Sequence, residues 1–212
     1  MRLYLSSFEM GSHPERLVAL ASRGTRASIV VNALDNFPYA RQEWLARQRE
    51  TLEALGFVQE ELDLRNFFDS PERLASALAG RGLIWINGGN AFLLRRAMRQ
   101  SGFDSVARAL LSSDTIVYAG FSAAVCCAAP TLRGIELVDN PREVPKGYMN
   151  DTVWDGLGLI DHSIAVHYGS TGAQGAAIER TITYWQSHNM RYITLRDGEV
   201  LVVDGDRAEV VR

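Results

Sequence analysis

Cysteine is nearly absent from this 212-residue chain: there are two, Cys126 and Cys127, and they are neighbours. Adjacent cysteines cannot staple distant segments, and two thiols alone cannot complete a zinc site. They read as small apolar core residues in a reducing compartment, so the cytoplasm is the expected location. A basic excess is also missing. Lys and Arg number 22 against 25 Asp and Glu, a net charge of −3. Such a surface has nothing with which to displace counterions from phosphates, which excludes a strong electrostatic case for nucleic acid. No apolar run approaches the ~18 residues of a membrane span, and the first residues carry no apolar leader segment. Neither G-x-G-x-x-G nor G-x-x-x-x-G-K-[ST] occurs, so no nucleotide cofactor is expected, and no metal.

What is present is an ordinary globular balance, 47% hydrophobic and 22% charged, at a length that suits one domain over residues 1–212. Short β-branched runs alternate with amphipathic stretches. Strands are expected at 1–6, 27–32, 57–62, 83–87, 115–121 and 163–167. Helices are expected at 15–23, 40–55, 71–79, 91–100, 104–111 and 175–186, the third entered through Ser70 and Pro71. Residues 140–154, with Pro141, Pro145 and Gly147, read as a long surface loop. The tail reads as an antiparallel meander, 192–195, 199–203 and 207–211, with turns at Asp197-Gly198 and Asp204-Gly205. Strand–helix alternation over the first 130 residues predicts an α/β fold. Its sheet is mostly parallel with helices on both faces, and a C-terminal antiparallel extension follows.

Chemistry concentrates at three strand ends. Tyr118-Ala119-Gly120-Phe121-Ser122-Ala123-Ala124 is a strand running into a helix of small residues through Gly-x-Ser. That is the setting of a nucleophile elbow, where a tight turn holds a serine hydroxyl out above the sheet. The stretch 120–124 within it also suits a plain turn with a capping serine. Asn87-Gly88-Gly89-Asn90 ends another strand on the edge where parallel sheets bind ligands. A Gly88 or Gly89 N–H facing the Ala123 N–H would make an oxyanion hole. Of the four histidines, His167 closes a strand and precedes the flexible Tyr168-Gly169-Ser170-Thr171-Gly172, so it can face the serine as a base. The acids between Ser122 and His167 include Glu136, set in the apolar run 135–138, and Asp139, which also suits a turn. Nucleophile, acid, base is the order of elbow-type hydrolases.

Together these segments resemble the dipeptidase E family of serine peptidases. The resemblance rests on the 87–90 loop, the 118–124 elbow, Cys-Ala-Ala-Pro-Thr-Leu-Arg at 127–133 and Ala-Val-His-Tyr at 165–168. It implies a class I glutamine-amidotransferase-like fold, a flavodoxin-like three-layer sandwich. It also implies hydrolysis of dipeptides with an N-terminal aspartate, so that the partner is a small peptide substrate. Ser122 would be the nucleophile, His167 the base, and Gly89 and Ala123 the oxyanion donors. Three positions depart from the family pattern. Ala124 stands where the family has glycine. Leu137 stands where it has an aspartate, which makes Glu136 the expected acid and Asp139 the alternative. Ile178 stands where it has the arginine that holds the substrate's aspartate, leaving Arg180 as the nearest cation, with Arg133, Arg142 and Lys146 as alternatives. Rival readings are a cyanophycinase-like or other β-aspartyl peptide hydrolase, and a non-catalytic binding protein on the same scaffold. Nothing in the sequence excludes a homodimer.

Overall fold

Alternation along each central strand decides how this chain packs. In the computed structural model, which describes residues 1–22 and 24–212, Leu3, Leu5, Ile84, Ile86 and Tyr118 fall in one buried cluster. Tyr4, Leu83, Trp85, Val117 and Ala119 fall in another. Successive strand side chains point to opposite faces, so a sheet with apolar residues at every position needs cover on both.

The strands are β1 (Arg2–Ser6), β2 (Arg26–Val30), β3 (Val58–Glu61), β4 (Leu83–Ile86), β5 (Val117–Phe121), β6 (Ser163–Ala165), β7 (Tyr192–Thr194), β8 (Val200–Asp204) and β9 (Arg207–Val211). The helices are α1 (Pro14–Leu20), α2 (Pro38–Ala54), α3 (Pro71–Leu78), α4 (Ala91–Ser101), α5 (Phe103–Ser112), α6 (Ala123–Ala128) and α7 (Gly172–Ser187). The seven-stranded sheet runs β3-β2-β4-β5-β1-β8-β9. Its first five strands are parallel, and β8 and β9 add antiparallel. Helices α1 and α2 cover one face through Leu17, Leu20, Leu45 and Leu52. Helices α3 to α7 supply apolar residues to the other. This is the expected α/β architecture. Among the described residues no helix is long and apolar enough to cross a membrane.

Three local expectations change. The helix expected over 15–23 runs Pro14–Leu20, and its expected end, Arg23, lies outside the described residues. The tail is not a three-stranded meander. Only β8 and β9 form the hairpin, turning at Asp204-Gly205, while β7 pairs in parallel with β6 as a separate two-stranded sheet. The Asp197-Gly198 turn therefore connects two sheets. Finally, the long 140–154 loop is anchored from below. Arg96 is fully buried on α4. Its guanidinium donates to the Pro141 carbonyl at 2.7 Å and the Asp151 carbonyl at 3.1 Å. Burial draws its pKa down.

Candidate active site

Three strand ends and one loop converge at the C-terminal edge of the parallel sheet. Register sets the approach: Ser6 at the end of β1 pairs with Phe121 at the end of β5. Ser7 and Ser122 therefore leave the sheet side by side, and the Ser122 N–H donates to the Ser6 carbonyl at 3.3 Å.

Ser122 sits at φ +52° and ψ −105°, between β5 and α6. A non-glycine residue in that region carries strain of about 1–3 kcal/mol, which the surrounding packing must impose. The small neighbours show how. A side chain on Gly120 would strike the Ile86 carbonyl oxygen and come within 2.7 Å of Ala124 Cβ. Ala124 itself is helical and fully buried, so the methyl group that departs from the family pattern is accommodated.

His167 follows β6 at φ +56°. Its Nε2 lies 3.1 Å from Ser122 Oγ, and its Nδ1 lies 2.7 Å from Asp197 Oδ1. An ionised carboxylate can only accept, so Nδ1 carries the hydrogen. The Nε2 lone pair then faces the serine, and Ser122 Oγ–H donates to it. The His167 ring is mostly covered (12% exposed), with Phe8 tilted against it, whereas Asp197 is about half exposed at 52%.

The acid partner of His167 is thus Asp197, and neither acid expected from the sequence takes that place. The Glu136 carboxylate instead accepts the N–H of Gly134 in the turn at Ile135–Leu137. Asp139 accepts the Ala91 N–H at 2.8 Å, at the start of α4. Burial, reinforced by nearby Glu143 and opposed by that hydrogen bond, pushes the Asp139 pKa up to about 6. Asp197 arrives by topology. Because β7 runs parallel to β6, with Ala165 opposite Thr194, the residues beyond both strands leave in the same direction. Tyr168 N–H donates to the Leu195 carbonyl at 3.0 Å and fixes the offset.

Ser7 completes the arrangement. Its buried hydroxyl accepts the His167 N–H at 2.7 Å and lies 2.9 Å from Asp197 Oδ1. Its own hydrogen can go to that carboxylate or to the Leu195 carbonyl at 3.2 Å. Sequence reasoning missed both residues. Asp197 was absorbed by its Asp-Gly turn, and the available signal for Ser7 was its place just past the first strand on the ligand-binding edge.

Two cavities flank Ser122 and His167. One, of about 280 Å³, also holds Gly89, Ala123 and Asp139 against a wall of Ile135, Val138, Ile178 and Trp185. The other, of about 210 Å³, is bounded by Phe8, Trp44, Phe121 and Gly89. Gly89 has φ +135°, and a side chain there would come within 2.6 Å of the Ala33 carbonyl oxygen. Gly89 and Ala123 both line the first cavity beside Ser122, as an oxyanion pair requires. Among the described residues no Lys or Arg lines either cavity. Arg180 is exposed on α7 and lines neither. Arg196, next to the acid, stacks over Tyr168 at 5.1 Å. Cys126 reaches the first cavity, but burial holds its thiol well above the ordinary range, so it is not an alternative nucleophile.

The profile of peptidase family S51 matches residues 34–211. The chain belongs to peptidase family S51. Peptidase E of Streptomyces coelicolor is 29% identical over 180 residues, 81% of this chain and 68% of that protein. An uncharacterised peptidase of Listeria monocytogenes, Lmo0363, is 28% identical over 123 residues, which span 58% of this chain and 57% of that protein. A crystal structure from L. monocytogenes EGD-e, of a candidate peptidase E protein, superposes with a TM-score of 0.77 at 22% identity. It covers 100% of this chain and 98% of its own. A peptidase from an acI-B1 actinobacterium superposes with a TM-score of 0.72 at 16% identity, over 99% and 86% of the two chains. By family, then, this S51 member is a serine peptidase of the peptidase E type.

Proposed function

We propose that this chain hydrolyses short peptides by acyl transfer through Ser122, with His167 as general base and acid and Asp197 as the residue that orients it. The observation that carries the reading is the hydrogen-bonded line from Ser122 Oγ through His167 Nε2 and Nδ1 to Asp197 Oδ1.

The steps follow from that line. His167 Nε2 takes the Ser122 proton as Oγ attacks the scissile carbonyl carbon. The tetrahedral oxyanion forms against the Gly89 and Ala123 N–H groups. Asp197 stabilises the imidazolium without itself becoming protonated. His167 gives its proton to the departing amine nitrogen, the C–N bond breaks and an acyl-enzyme remains. Water then loses a proton to His167, attacks the ester and releases the acid, and Ser122 recovers its hydrogen.

Cavities of about 280 and 210 Å³ on either side of the serine each suit one residue, which favours dipeptides. The narrower expectation of an N-terminal aspartate, like the β-aspartyl alternative, calls for a cation at the substrate carboxylate. The residues lining the cavities supply none. The reaction type therefore enters the proposal without aspartyl preference. A reducing compartment such as the cytoplasm suits the two buried free thiols.

The test is a dipeptide panel with wild type and Ser122→Ala, together with labelling by a serine-reactive phosphonate. Hydrolysis by wild type, its loss in the variant and adduct formation on Ser122 are expected. An unlabelled Ser122 with no peptide turned over would instead favour a binding protein.

A further inference from the structure

We infer that the substrate is a peptide whose free α-ammonium is held by Asp139 and whose first side chain is uncharged and apolar. The inference rests on the serine-peptidase reading above and adds the substrate class.

The cavity wall carries the first half. Among the described residues, the ionisable side chains lining the larger of the two cavities are His167, Asp139 and the buried Cys126 thiol; the wall around them is mostly aliphatic and aromatic, including Ile135, Ile178 and Trp185, with Gln174 and Thr181 among its uncharged polar members. An anionic side chain entering here would lose water, meet no cation and face a like charge. An aliphatic or aromatic side chain would bury apolar surface against that wall.

The position of Asp139 carries the second half. One carboxylate oxygen is satisfied by the Ala91 N–H at 2.8 Å. Ala91 is two residues beyond Gly89, the proposed oxyanion donor, and two residues span at most ~7 Å. The α-nitrogen of the scissile residue is two bonds from the carbonyl carbon. Gly89, Ser122 and Asp139 line one cavity of about 280 Å³, so a carbonyl oxygen held against Gly89 places the ammonium in the same space as the Asp139 carboxylate. No Lys or Arg of the chain is paired with this carboxylate among the described residues. A carboxylate in a largely apolar wall calls for a positive partner, and the ammonium of a peptide supplies one.

Capping of α4 accounts for one oxygen of Asp139 only, the one that accepts the Ala91 N–H. Asn90 already serves as N-cap, its side chain accepting from the N–H groups of Phe92 at 2.9 Å and Leu93 at 3.2 Å.

The experiment compares kcat/KM for Leu-p-nitroanilide, Asp-p-nitroanilide and N-acetyl-Leu-p-nitroanilide, in wild type, Asp139→Asn and Asp139→Glu. Wild type should prefer the Leu over the Asp substrate by more than about tenfold, and free-amine over acetylated Leu by about 10–100-fold, the range of a charge-assisted hydrogen bond. In Asp139→Asn, which keeps an acceptor for the Ala91 N–H, the free-amine to acetyl ratio should fall towards one. Asp139→Glu, which keeps the charge, should restore part of it. A cap that merely supports the fold would lower both rates together. A preference for the Asp substrate, or a ratio unmoved by Asp139→Asn, overturns the inference. If Ser122 is still labelled by the phosphonate in that case, the serine-peptidase reading stands. Failure of labelling together with failure of all three substrates overturns both.

Discussion

The Asp197 carboxylate lies 2.7 Å from His167 Nδ1, although thirty positions separate the two residues in the chain. The contact exists because β6 and β7 run in parallel and end together. In the proposed mechanism the orienting acid then lies downstream of the base, and Asp197 and Glu136 can be tested against each other.

Asp197→Asn should lower kcat by about 10³–10⁴-fold, because an asparagine amide can donate to Nδ1 and so favour the tautomer whose Nε2 cannot accept the serine proton. Glu136→Gln should leave kcat within about twofold, since the residue serves the 134–137 turn. Steady-state kinetics on a cleaved dipeptide measure both. Equal losses in the two variants would contradict the assignment.

Ser7→Ala should reduce kcat more than it changes KM. The buried His167 N–H loses its acceptor, and Asp197 loses a neighbour at 2.9 Å. An unsatisfied buried donor costs about 1–3 kcal/mol, so a fall in Tm should accompany the kinetic effect. Thermal unfolding and a kcat-against-KM comparison separate a misplaced imidazole from weakened substrate binding.

Asp139 should make stability depend on pH in the opposite sense to an ion-paired carboxylate. Its pKa rises from an ordinary 3.8 to about 6 on folding. Above about 6 both folded and unfolded states are ionised, and the folded state carries the full cost of a half-buried charge. As pH falls through 6 towards 3.8 the folded state takes up its proton first, and the cost disappears. Asp139→Asn should therefore raise Tm at pH 8, with the gain gone by about pH 3.5. A Tm difference independent of pH would contradict this.

Arg96→Met should destabilise the protein by about 2–4 kcal/mol, because several carbonyls of the 140–154 segment lose a buried donor at once. Urea unfolding gives the stability change. Proteolysis should begin within 140–154 in the variant and not in wild type.

Much of the fold was legible in sequence because it is written in short-range pattern. Continuous apolar runs of strand length, separated by amphipathic stretches, require a sheet covered on both faces, and the residues 83–86 and 117–121 supplied that pattern at the centre. The strained turn at Ser122 was legible for the same reason: Gly120, Ser122 and Ala123 are neighbours in the chain, and their steric demands are local. The arginines of α4 show the limit. Arg95 and Arg96 are fully buried, because Asp104 and loop carbonyls meet them from elsewhere in the chain.

The amino-acid sequence by itself determined the tight turn at Ser122, the place of His167 just past a strand, the glycine loop and the parallel sheet that presents them, since each is written in local pattern. Only the tertiary structure decided which carboxylate meets His167, that Ser7 lies between them, and that the cavity beside Ser122 is apolar with Asp139 in its wall. Those relationships depend on strand partners and loop paths far apart in sequence. An Asp-Gly pair has the same local chemistry whether it closes a hairpin or, as at Asp197, links two sheets at the end of a parallel pair.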